Sequence, residues 1–414
     1  MRKELITKRN KPSIAIYFPH LTRTGEPHVG GAEFRMLHGM EVLKNQCEIT
    51  LATRSRPDWK TLNTFYGTSL NEEDIRLLLS QRRLGILDDR VFLLPYCGRH
   101  FDLCICGHNV ADFRVPALHF ITNCRFEKEL AKCIGTPAED AEDLIPQSRF
   151  NTTGGMAQWI KGAIKYADSW IYGGRPRNVE QVIRSPHEKI VCNSHWIAAK
   201  IADCYGITKP EVLYPPVVAE FADVPWTSRE KGFVCIGRVD PEKKVEQVIE
   251  IMERVREAGF PQLRLHLAGE IRETPYGIKI ARLVETRPWI IAYGDVYGKA
   301  KTALISSHRF AIHACDIEGF GISVAEYIKA GVIPFVPDRG GAAEVVPIAD
   351  LQYRSTEEAV QKIIKLLAND ERQALLHNEL RKRGRVFTLD QFRIGFTRIV
   401  VDELKRRGIQ ILED

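Results

Sequence analysis

The feature that most limits this chain is an alternation of short apolar runs with helix-period segments that stops at two prolines and then starts again. In the first half, PSIAIYFPH, CEITLATR, RVFLLPY, FDLCICG, PALHFIT and KIVCNS read as buried strands. The segment after Gly30 and Gly31, WIKGAIKYADSWIYG and HWIAAKIADCYGI carry a helical period. Continuous apolar strands separated by helices belong in a parallel sheet covered on both faces. YPPVV at 214–218 breaks the pattern, because two prolines fit neither a central strand nor a helix interior. The alternation then restarts at GFVCIGR and runs through LRLHLAG, WIIAYGD, RFAIHAC and VIPFVPD, with helices between them. The expected fold class is α/β, with two Rossmann-like doubly wound domains facing across a cleft. The expected boundaries are 1–216, 217–385 and a helical segment, 386–414, that crosses back to the first domain. Ligands of such sheets sit beyond the carboxyl ends of the strands.

Composition removes several function classes. Apolar residues make up 44% of the chain and charged residues 27%, enough for two folded cores. The net charge of +6 is mild, and no basic run is interleaved with aromatics, so nucleic acid is not an expected partner. RKRGR reads as a solvated helix end. The ten cysteines are scattered without CxxC or zinc spacing, which fits reduced structural thiols. No apolar run reaches bilayer-spanning length, and the N-terminus lacks a secretory pattern, so a cytoplasmic location is expected.

EGFGISVAE, residues 318–326, places acids at both ends of a glycine turn that enters a helix. The amides of Gly319, Phe320, Gly321 and Ile322 would form an anion nest at the helix N-terminus. Glu318 before the helix and Glu326 within it can each accept hydroxyl hydrogen bonds. Phosphates in the middle and hydroxyls on both sides describe a nucleotide sugar. Helix-end electrostatics is the plainer reading, and it explains one acid better than two. GRVDPEKK supplies Arg238 at a strand end and Lys243 at the next helix, two cations suited to a diphosphate leaving group. Lys244 would be turned away from Lys243. GDVYG places Asp295 and Val296 where backbone can border a base. HVGGAEF presents the bare amide of Gly31, but it lacks the GxGxxG dinucleotide fingerprint.

Taken together, GGAEF, VCNSHWIAAKIADCYGI with VLYPPV, GRVDPEK, HLAG, and EGFGISVAEYIKAG with DRGGAAEVV resemble retaining glycosyltransferases of family 4, which have the GT-B fold. The resemblance runs in the family's order over nearly the whole chain. It implies Arg238, Lys243 and Glu318 as the catalytic set, with Glu318 positioning the donor sugar rather than acting as nucleophile. It implies Glu326 on the ribose and the Gly31 amide on a phosphate. The donor would be a UDP-, GDP- or ADP-sugar, with no cofactor and no metal. The acceptor would be a hydroxyl-bearing glycan or lipid-linked glycan, with peripheral contact at the inner membrane face. Many members carry a histidine after an apolar strand of the first domain. In VPALHFITNCRF that place falls on Thr122 or Asn123, with His108 a further loop candidate and His119 a core residue. The alternatives are a non-catalytic nucleotide-sugar-binding relative and an NAD-dependent dehydrogenase. The missing fingerprint and the arginine–lysine pair argue against the dehydrogenase.

Overall fold

The computed structural model describes residues 11–19, 21, 31–80, 92–135 and 176–410. The helix expected in WIKGAIKYADSWIYG and the Gly30 half of the glycine turn lie outside them. The chain divides into two compact units. Unit 1 comprises Met1–Leu213 with Phe392–Asp414, and unit 2 is Tyr214–Gln391.

Unit 1 contains β1 (Ser13–Tyr17), α1 (Gly31–Leu43), β2 (Glu48–Thr53), α2 (Trp59–Tyr66), β3 (Ile75–Leu79), α3 (Leu93–His100), β4 (Leu103–Cys106) and β5 (Leu118–Ile121). It continues with α4 (Lys128–Cys133), α5 (Val179–Ile183), β6 (Lys189–Cys192), α6 (His195–Tyr205) and β7 (Glu211–Val212). The strands form one parallel sheet in the order β3-β2-β1-β4-β5-β6-β7. β1, β4 and β5 are buried along their whole length, which is why they read as unbroken apolar runs. Local chemistry sets the helix ends. The Ser194 hydroxyl accepts the Ile197 amide at the start of α6, and Gly206 closes that helix in the left-handed region.

Of RVFLLPY, expected above as a strand, the described part, Phe92–Tyr96, enters α3; Arg90 and Val91 lie outside the described residues. Pro95 sits in the first turn, where its missing N–H costs nothing, and Arg99 and His100 occupy the last turn, where cations suit the helix dipole. A short apolar run looks the same in a buried strand and a buried helix.

Unit 2 holds β8 (Glu230–Ile236), α7 (Val245–Glu257), β9 (Leu265–Ala268), α8 (Pro275–Glu285), β10 (Ile290–Ala292), α9 (Gly298–Ser306) and β11 (His308–Ile312). Then come α10 (Ile322–Lys329), β12 (Ile333–Pro337), α11 (Gly340–Val345), β13 (Gln352–Tyr353), α12 (Thr356–Leu367) and α13 (Asp370–Gly384). Its sheet is again parallel, in the order β10-β9-β8-β11-β12-β13. The YPPVV segment joins this unit. The Val217 amide donates to the Phe387 carbonyl at 2.7 Å, and the Tyr214 ring packs on Phe320 and Phe387.

The last helix, α14 (Leu389–Arg406), seats its buried face in unit 1. The Phe396 ring stacks on Phe120 with centroids 5.1 Å apart and lies over Gly39 of α1. A Cβ at Gly39 would come within 2.5 Å of that ring, so α1 must be bare there. Among the described residues, no helix is long and apolar enough to cross a membrane.

Candidate functional site

In unit 2, every parallel strand delivers its following loop to one edge of the sheet, and the sequence candidates gather there. The loop after β11 runs through His313, Asp316 and Glu318 to Gly321, which takes φ +88° and opens α10 without a side-chain cap. The first-turn amides of α10 therefore have no partner within their own helix and no cap from the preceding residue. The loop is clamped from the next crossing. The Gly341 amide donates to the Glu318 carbonyl at 2.7 Å. A Cβ on Gly341 would fall 2.3 Å from the Gly319 carbonyl oxygen, so only glycine admits this approach. DRGGAAEVV is thus the seat on which EGFG rests.

Lys243 and Glu318 form the centre of the site. Lys243 closes a short 3₁₀ turn, Pro241–Lys243, in which the Asp240 carboxylate accepts the Lys243 amide. Its Nζ lies 2.5 Å from Glu318 Oε2, and each side chain is only 20% exposed. Burial works against the Glu318 carboxylate, but Lys243 and His313 outweigh it and hold this acid well below the usual carboxylate range. Burial likewise works against the Lys243 ammonium, and Glu318 reverses the sign, raising it above the ordinary lysine value. Lys244, in the left-handed region at φ +48°, reaches the same loop and pairs with Asp316 at 2.9 Å. Arg238 follows β8 and is largely exposed, resting on Asp240 at 3.1 Å. It is near enough to Lys243 to oppose that ammonium.

Glu326 lies on α10, buried, with Lys301 of α9 at 2.7 Å. Two acid–lysine pairs therefore stand on either side of the uncapped helix start. Asp295 accepts the Glu270 amide at 2.8 Å and the Tyr297 hydroxyl at 2.9 Å, tying the loop after β10 to the loop after β9. Val296 packs on the apolar cluster of Val234, Ala268 and Tyr327. Sequence reasoning missed Lys301, Asp316, Arg339 and His313. Arg339 approaches Asp316 at 3.7 Å. A polar residue interrupting the apolar run FAIHAC was the available signal for His313; nothing in the sequence marked Lys301.

His313, Cys315 and Glu318 present ligand-type atoms within 4.8 Å of one another. Their chemistry does not suit a metal. Lys243 occupies the carboxylate, and burial, with Glu318 adding to it, pushes the Cys315 thiol up to about 11, so it keeps its proton.

In unit 1, the first-domain candidates also stand at the carboxyl edge of their sheet. Gly31 begins α1. His108 follows β4, and Thr122 and Asn123 follow β5. The Thr122 hydroxyl donates to Asn109 at 3.3 Å, and the Thr122 carbonyl accepts from Asn193 at 2.9 Å. Asn123 is turned to its own backbone, accepting the Arg125 amide at 3.0 Å. His119 is wholly buried, with Nε2 3.0 Å from Glu188.

Residues 219–385 match the family model described as glycosyl transferases group 1. No curated protein sequence matches the chain. Among solved structures, HepE from Anabaena in complex with UDP and glucose is 13% identical at a TM-score of 0.62, covering 94% of this chain and 100% of that one. A sucrose-phosphate synthase from Thermosynechococcus elongatus is 13% identical at 0.62, covering 96% and 100%. WaaG, a glycosyltransferase involved in lipopolysaccharide biosynthesis, is 14% identical at 0.59, covering 94% and 99%. The fold is GT-B-type. In this chain the matched segment contains every candidate from Arg238 to Gly341, so the GT-B-type second unit carries the whole constellation built above.

Proposed function

We propose that the chain is a retaining glycosyltransferase that moves a sugar from a nucleoside diphosphate sugar to a hydroxyl acceptor. The observation that carries this reading is the Lys243–Glu318 pair beside the uncapped start of α10, on a loop seated against Gly341. Charge grows on the β-phosphate oxygen as the glycosidic bond breaks. Fixed cations and helix-start amides aimed at that oxygen lower the barrier without reorganising, by several kcal/mol in sites of this kind. Arg238 and Lys243 take the diphosphate, and Glu318 orients the sugar hydroxyls. Glu326 and Lys301 form the ribose side, and the backbone around Asp295 and Val296 borders the base. The acceptor hydroxyl attacks on the face the leaving group vacates and passes its proton to the departing phosphate oxygen, so configuration is retained. The proposal gives unit 1 the acceptor, a glycan or lipid-linked glycan, with Gly31 lending an amide to the donor phosphate. A cytoplasmic location with peripheral contact at a membrane face goes with such an acceptor.

One observation favours a second reading, a nucleotide-sugar-binding protein without turnover. Thr122 and Asn123 occupy the place where the family resemblance leads one to expect a histidine, and both are engaged with their own neighbours. The deciding experiment is a panel of nucleotide sugars assayed for binding by calorimetry and for slow hydrolysis, which needs no acceptor. Binding with hydrolysis of one donor supports transfer. Binding without hydrolysis supports the second reading, and no binding of any donor overturns both.

A further inference from the structure

The opposite, amino-terminal edge of the unit 2 sheet holds a cluster that the donor reading does not use. Glu230 is the first residue of β8, His308 the first of β11, and His266 lies in β9. These are three adjacent strands, β9-β8-β11. His308 stands opposite Glu230 in the ladder, just before a register irregularity between His308 and Phe310, and His266 stands opposite Val234. Gly232 follows Glu230 by two positions on β8. A Cβ there would come 2.8 Å from Glu230 Oε1, so the bare position leaves the carboxylate room to bend over the strand towards His266.

The side chains converge. His266 Nε2 lies 2.9 Å from Glu230 Oε1, and His308 Nε2 lies 3.7 Å from Glu230 Oε2. The imidazole rings meet edge to face with centroids 4.2 Å apart. His266 and His308 are 4% and 1% exposed. The other nitrogen of each ring is already engaged. His308 Nδ1 donates to the Leu304 carbonyl at 2.7 Å, and His266 Nδ1 meets the Tyr293 hydroxyl at 2.9 Å. Donation from Nδ1 fixes His308 in the tautomer whose Nε2 carries a lone pair, and that buried atom has no hydrogen-bond partner. An orphaned buried acceptor is costly in a native protein and calls for an explanation.

We propose that Glu230, His266 and His308 form a binding site for a divalent transition metal of the zinc class. Imidazole Nε2 lone pairs with a carboxylate are the donor set such ions take, and a second-shell carbonyl or hydroxyl on Nδ1 is their usual support. The three ligand atoms lie within 4.8 Å of one another. A tetrahedral ion with bonds of about 2.0–2.2 Å holds its ligands roughly 3.4 Å apart, so closure needs shifts of about 1 Å. Glu230, 40% exposed along its side chain, can supply that movement and leaves an open side for a water as fourth ligand. The ion would staple β9, β8 and β11 together at the edge away from the Glu318 loop. Its role is structural, and it takes no part in the donor chemistry.

The test uses the full chain, stripped with EDTA and buffer-exchanged, then titrated with zinc chloride against a zinc-indicator dye. Cobalt(II) spectra are recorded in parallel. One zinc per chain is expected, with visible tetrahedral cobalt bands and no thiolate charge-transfer band. Glu230→Gln, His266→Gln and His308→Gln should each weaken the site at least tenfold. Failure of the wild-type chain to compete with the dye overturns the proposal. So does unchanged affinity in the three variants, or a thiolate band, which would put the ion on cysteine. If a histidine variant does not fold, as judged by circular dichroism, Glu230→Gln carries the test, because its side chain is partly exposed and nearly isosteric. Loss of zinc binding leaves donor binding intact, so this test and that of the proposed function fail separately.

Discussion

The Lys243–Glu318 pair can be weighed by a double-mutant cycle of Lys243→Met, Glu318→Gln and the two together. At 2.5 Å and an effective dielectric of about 20, the attraction is about 7 kcal/mol. Most of it is offset, because taking an ammonium and a carboxylate out of water costs several kcal/mol each. Both side chains keep a fifth of their surface in solvent, which screens what remains. A coupling energy of about 2 kcal/mol is therefore expected, within the range for residues in direct contact. Each single variant should lose about 2–3 kcal/mol, since it strands the partner's charge, and the double variant should lose little more than either. Urea unfolding of the full chain at pH 7, with unchanged slope, reads these values. The pH dependence has a defined sign. Glu318 is depressed, so its contribution is complete above the ordinary carboxylate pKa and is lost only as pH falls through its lowered value. Lys243 is raised, so its contribution is lost only as pH climbs past the ordinary lysine value. The coupling should thus be flat from about pH 5 to 10. Additivity of the single variants within about 0.5 kcal/mol would refute the pairing and, with it, the electrostatic centre of the site.

Four further outcomes are expected. Glu326→Gln should weaken both a nucleotide sugar and the bare nucleoside diphosphate by about 1.5–3 kcal/mol, whereas Glu318→Gln should weaken the sugar-bearing donor alone; equal loss of both ligands in Glu318→Gln would remove Glu318 from the sugar. Gly341→Ala, which brings a Cβ to 2.3 Å from the Gly319 carbonyl oxygen, should displace the Glu318 loop and cut donor affinity at least tenfold with no charge changed; donor calorimetry reads it, and wild-type affinity would refute the seat. His38 is buried and pushed down to about 4, chiefly by burial, so the unfolded chain binds its proton first and stability should fall by about 3 kcal/mol as pH drops from 6.5 to about 4; His38→Gln should flatten that slope in urea titrations, and an unchanged slope would count against it. Donor turnover should survive EDTA even as the melting temperature falls, and loss restored by magnesium or manganese would reverse the assignment of the diphosphate to Arg238 and Lys243.

The sheets were legible because parallel strands covered on both faces spell continuous apolar runs, as SIAIY and LCIC do. β3 escaped notice because IRLLL lies at the sheet edge, with only Ile75 buried, and follows acidic residues that read as loop. Glu318 and Lys243 were legible as residue types at strand ends. That they bond each other was not, since 75 positions separate them and only the order β8-β11 makes their loops neighbours. Lys301 was invisible for the same reason. Its meeting with Glu326 depends on how α9 and α10 are rotated over the sheet, and periodicity does not report that rotation. Local bonding decided His119: a histidine in an apolar strand is stable there because Glu188 accepts from its ring.

The seating of Phe396 on Phe120 and over Gly39 has a consequence for biosynthesis. Unit 1 is assembled from segments on either side of unit 2, with all of unit 2 translated between them. At about 5–20 residues per second, the roughly 180 intervening residues take some 10–40 s to emerge. For that interval the faces of α1 and β5 that will receive α14 stand exposed, while unit 2 has everything it needs to fold. Unit 2 can therefore complete its fold before unit 1 does. During that interval the nascent chain carries an apolar surface open to capture, and a helix made only after the whole of unit 2 closes a sheet made before it.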